Sequence, residues 1–100
     1  MQISVMGIGW YEREDYPRIL EIMEDADKLP RTYDEFLKSA ETGERNMTSK
    51  GHVVVRAIIK PDEFLAYCRR NGLKVDAQAR MRFGSEAARD FVMKQQQQSS

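Results

Sequence analysis

The sequence predicts a small α+β domain, in which a helical hairpin and two C-terminal helices pack on a small sheet centred on Val53–Ile59. Three observations carry this. One stretch, His52–Ile59, is rich in β-branched residues, which are stiff at χ1 and suit a pleated surface. Apolar residues recur at helical spacing in four other segments. The chain has 100 residues, enough for one domain with a real core. An all-helical bundle with one isolated strand is the alternative architecture.

Met1–Tyr11 has strand-like content in Ile3, Val5, Ile8 and Trp10, but Gly7 and Gly9 weaken a strand interior. Pairing with Val53–Ile59 would satisfy that strand's backbone groups; an arm exchanged with a neighbouring chain would do the same. The Gly-Ile-Gly-Trp run lacks the third glycine of a nucleotide fingerprint and reads as structural. Asp15 suits an N-cap, with Pro17 in the first turn, and Tyr16, Ile19, Leu20, Met23 and Ala26 form an apolar stripe. Pro30 predicts the end of that helix at Leu29. Thr32 and Glu35 then spell a capping box for a helix burying Tyr33, Phe36, Leu37 and Ala40, with Gly43 as its expected C-cap. Polar Glu44–Gly51 is expected to be a loop.

In the central strand Val53, Val55, Ala57 and Ile59 share one face, and Val54, Arg56 and Ile58 lie on a mixed one. Pro61 ends the strand and opens a helix. Asp62 and Glu63 sit where the helix dipole favours acids, Phe64, Leu65 and Cys68 make the buried stripe, and Asn71-Gly72 gives the stop. Asp76 can cap a last helix from Ala77 to about Met93, with Ala77, Met81, Gly84, Ala88 and Phe91 on its stripe. Gly84 costs about 1 kcal/mol relative to alanine in a helix, so it marks a break or a close helix contact. Residues 1–94 are expected to form one compact domain, and the polar tail 95–100 to be disordered.

These segments together resemble a group of short bacterial proteins with no assigned function. The resemblance rests on GWYEREDYPRILEIMEDADKLPRTYDEFLKSAE, then the β-branched strand, then PDEFLAYCRRNGLKVDAQARMRF, and covers residues 9–92. Tyr67 stands where tryptophan is expected, and Lys60-Pro61-Asp62 precedes the motif. No reaction accompanies the group, so the resemblance carries over no active residue.

No run of about 18 apolar residues is present, so no membrane span is expected. The first residues lack the basic start and small-residue cleavage site of a secretory signal. One cysteine fits a reducing, cytoplasmic setting. Cys68 and His52 are single copies of their kinds, too few for zinc, and Cys68 falls on an apolar stripe where a thiol acts as a small hydrophobe rather than a nucleophile. Glu21, Glu24 and Asp25 read as a solvated face. No cofactor and no catalytic residue is expected.

Net charge is zero but uneven: residues 1–49 hold 11 acids and 6 bases, residues 50–100 hold 5 acids and 10 bases. Two halves that neutralise each other on packing explain this. A basic face meeting nucleic acid through Arg69, Arg70, Lys74, Arg80, Arg82 and Arg89 is the rival reading. The favoured expectation is a non-enzymatic protein acting through protein contacts as a homodimer. Its self-association edge would be Val53, Val54, Val55, Arg56 and Ile58, because a two-stranded sheet is marginal alone.

Overall fold

The computed structural model describes residues 4–98. In chain order they form β1 (Val5–Trp10), α1 (Tyr16–Ile22), α2 (Tyr33–Ser49), β2 (Val53–Ile58), α3 (Pro61–Asn71) and α4 (Ala77–Gln98). Short 3-10 turns at Arg13–Asp15 and Ala26–Lys28 flank α1. The α+β expectation holds, and β1 pairs with β2 within the chain. Met1–Ile3 lie outside the described residues.

The two strands run parallel, with Val5 opposite Val53 and Trp10 opposite Ile58. A parallel pair needs a long crossover, and α1 and α2 supply it. Helices cover both faces of the pair. Odd-numbered residues of the strands meet α4, where Gly7 lies against Gly84. Even-numbered residues meet α2: the Trp10 ring packs edge-on to Phe36 at 5.8 Å, and Arg56 bonds Glu44 through two contacts of 2.7 and 2.8 Å.

The glycines of β1 are what allow this layering. A Cβ on Gly7 would fall 1.8 Å from the Gly84 carbonyl oxygen, and one on Gly84 would fall 2.6 Å from the Gly7 oxygen. Real Cβ contacts do not come so close, so strand and helix meet backbone to backbone. Gly84 therefore marks a close contact, but with a strand and without a break in α4.

Three element boundaries differ from expectation. α1 stops at Ile22, well before Leu29, because the chain is drawn off to Val75: the Glu24 N–H donates to the Val75 carbonyl at 2.8 Å, and the Val75 N–H donates to the Glu24 carboxylate at 3.1 Å. α2 runs past Gly43 to Ser49, so Gly43 is not a C-cap and residues 44–49 are not a loop. Its face continues through half-buried Ala40, Glu44 and Met47 at helical spacing, and the Arg56–Glu44 pair ties that extra length to β2. α4 carries into the polar tail as far as Gln98, and residues 99 and 100 lie outside the description.

Asp15 closes the 3-10 turn before α1 and makes no side-chain cap bond, whereas two other sequence signals act as read. Thr32 Oγ1 accepts the Glu35 N–H at 3.1 Å, and Gly72 adopts φ 64° at the end of α3. The core gathers Trp10, Tyr11, Tyr16, Ile19, Phe36, Ile59, Phe64 and Cys68. On α4 the buried line is Ala79, Gly84 and Ala88, with Phe83 and Phe91 half-buried. Ala77 and Met81 fall outside it, Met81 at 72% exposure.

Candidate interaction edge and cleft

The outer edge of β2 follows from the ladder. The Val53 N–H donates to the Ser4 carbonyl and the Ile59 N–H to the Trp10 carbonyl, each at 2.8 Å. Odd residues of β2 therefore face β1, and alternation along a parallel ladder turns the main-chain groups of Val54, Arg56 and Ile58 outward. Val53 and Ile58 are apolar yet 37% and 39% exposed. Arg56 stacks its guanidinium 3.8 Å over the Trp10 ring while bonding Glu44. A shallow hollow of about 500 Å³ beside Val54 is lined by Glu44, Arg45, Thr48 and Ser49.

The outer edge of β1 is different. α4 lies more over β1 than over β2, and at Gly7 its backbone touches the strand directly. Beyond that contact, a cleft of about 300 Å³ opens beside Gly9, with Ile8, Leu29, Phe36 and Met81 on its walls. Tyr11 and Arg80 also line it. Arg80 comes from the first turn of α4 and forms a bidentate pair with Asp25, both contacts at 2.8 Å, with side chains only 14% and 15% exposed. The guanidinium beside Asp25 holds that carboxyl below its usual range. Burial pushes the Tyr11 phenol up to about 12, partly offset by Arg80.

Two of the basic residues proposed for nucleic acid are held in ion pairs. Arg80 is committed to Asp25. Arg82 bonds Glu86 at 3.3 Å and the Asn71 side-chain oxygen at 3.0 Å, within a network that also holds the Tyr67 hydroxyl, which donates to Glu86 at 2.8 Å. Desolvation and that carboxylate raise the Tyr67 phenol to about 12. Arg69, Arg70, Lys74 and Arg89 are exposed, but they are spread over α3, the α3–α4 connection and the far half of α4.

Cys68 is 1% exposed in the core, and burial pushes its thiol up, with Asp76 and Glu24 adding to the effect. A thiol so placed is poorly nucleophilic. His52 donates its backbone N–H to Met47 at 3.1 Å, and its buried Nδ1 has no partner among the described residues. No group of three or more potential metal ligands occurs among the described residues, and no helix there is long and apolar enough to cross a membrane. The Tyr11–Arg80 cleft was not legible in the sequence. Tyr11 and Arg80 lie 69 positions apart, and nothing in either local pattern links them.

A family model described as a domain of unknown function (DUF8829) matches residues 11–95. No curated protein and no solved structure matches the chain.

Proposed function

The chain belongs to this family of domains of unknown function, and from that premise we propose that it is a non-enzymatic, cytoplasmic protein acting through protein contacts as a homodimer joined at β2. The single observation that supports this reading is the outer edge of β2: Val54, Arg56 and Ile58 have outward main-chain groups, and the apolar side chains of Val53 and Ile58 are exposed. Unpaired edges are templates for a further strand, and a two-stranded sheet gains most from one. The other edge is obstructed where α4 touches Gly7.

A two-fold antiparallel pairing centred on Arg56 would use the outward groups of Val54, Arg56 and Ile58 in both copies. It sets Ile58 of one copy against Val54 of the other, so an exposed apolar side chain reaches the hollow beside α2. Two arginines then lie opposite each other, but each brings its own Glu44. The facing charges are balanced pairs.

Proline scanning tests the reading. Val54→Pro removes an outward N–H and spares the pairing with β1, whereas Val55→Pro removes an N–H that the β1 ladder uses. Light scattering should give a dimer for the parent and a monomer for Val54→Pro with its helical circular dichroism retained. Val55→Pro should lose the fold. A parent that stays monomeric at high concentration would sink the proposal.

A further inference from the structure

Four tyrosines are present, and three use their hydroxyls inside the protein. Tyr16 donates to the Pro30 carbonyl at 2.6 Å, Tyr33 to the Tyr11 carbonyl at 2.8 Å, and Tyr67 to Glu86 at 2.8 Å. Tyr11 is the exception. The residue is 4% exposed as a whole, and its hydroxyl makes none of the side-chain bonds that tie down the other three. The hydroxyl is not sealed in, because Tyr11 lines the cleft beside Gly9.

The same cleft offers two more unpaired polar groups. Gly9 is an odd residue of β1, so by ladder geometry its N–H and carbonyl point away from β2 and toward this opening. The Gly9 donor and acceptor and the Tyr11 side chain thus line one opening together with Ile8, Leu29, Phe36 and Met81. The one charged group there, Arg80, is already neutralised by Asp25. A charged ligand would have to compete with that pair, whereas a neutral one would leave it intact.

We propose that this cleft is a binding site for a small, neutral, apolar molecule carrying one carboxamide. The amide would pair with the N–H and carbonyl of Gly9, its oxygen would also accept the Tyr11 hydroxyl, and its apolar body would rest on Phe36 and Leu29. The volume of about 300 Å³ suits a ligand of about ten non-hydrogen atoms, at the small end of ligand pockets. Gly9 suits this role because its backbone groups stand bare at the edge.

Benzamide is a suitable probe, titrated into ¹⁵N-labelled protein. The expected result is a saturable shift of the Gly9, Tyr11 and Arg80 amides. Tyr11→Phe should keep the fold, since its hydroxyl supports nothing inside the protein, and should weaken benzamide about five- to tenfold. Met81→Trp, at an exposed position on the rim, should abolish the shifts by filling the mouth. The proposal is overturned if no saturable shift appears at Gly9, if Tyr11→Phe titrates like the parent, or if Met81→Trp leaves the titration unchanged. None of these readouts depends on self-association at β2.

Discussion

Arg80 shows how far one residue can depart from its sequence context. It sits among arginines that read as a basic surface, yet it is turned inward to hold Asp25 and touches the Met23 sulfur at 3.3 Å. Breaking a largely covered bidentate pair strands a charge, so Arg80→Met should cost about 2–3 kcal/mol in urea denaturation at neutral pH. The acid limb gives a second check. Because the Asp25 carboxyl is depressed in the folded state, the pair contributes fully above the unfolded value of about 4 and loses that contribution as pH falls through the lower folded value. Asp25→Asn should therefore be less stable than the parent at pH 7 and flatter in its loss of stability below about pH 4. Cys68 is the opposite case, a residue whose spacing from Phe64 announced its burial. A disulfide reagent should leave it unmodified in the native protein and react rapidly in denaturant. Local spacing reveals which face a side chain occupies. It cannot reveal a partner 55 positions away, as Arg80 has in Asp25.

At the scale of elements, alanine at two mid-helix glycines should have opposite effects. Gly43 lies in α2 with nothing within 4 Å of an added Cβ, so Gly43→Ala should stabilise by about 1 kcal/mol through helix propensity alone. Gly84→Ala gains the same propensity but drives a methyl into the Gly7 carbonyl, and overpacking of this kind costs about 1–3 kcal/mol or more. Thermal melts of the two variants should move in opposite directions. The sequence marked Gly84 as either a break or a close helix contact because glycine is expensive inside a helix. It misjudged Gly43 for the same reason, since a lone glycine near a polar run imitates a C-cap. What separates them is the neighbour: open space at one, a strand backbone at the other. The length of α2 was hidden likewise, because Glu44 looks like solvent-facing polarity until Arg56 lies across from it. The early end of α1 at Ile22 depends on Val75, which no local rule connects to Glu24.

For the molecule as a whole, the fold class was readable because the strand and helix periods are so distinct along the chain. The arrangement was less so, since whether Met1–Tyr11 pairs inside the chain or with another depends on the cover α4 provides. The result is a sheet of two strands wrapped on both faces and open along β2. A dimer through that edge would make stability depend on protein concentration. Diluting the parent should lower its melting temperature, while Val54→Pro should melt at the same temperature at every concentration.

The parallel pairing of β1 with β2 also dictates an order of events. Val5 meets a residue 48 positions later, and the helix that covers both begins only at Ala77. On the ribosome β1 emerges first but has nothing to pair with until β2 follows, and no lid until α4 is made. Pairings so distant in sequence raise contact order and slow folding. The first-made strand of this pair is thus secured late, and the domain should reach its native state only after α4 has left the exit tunnel.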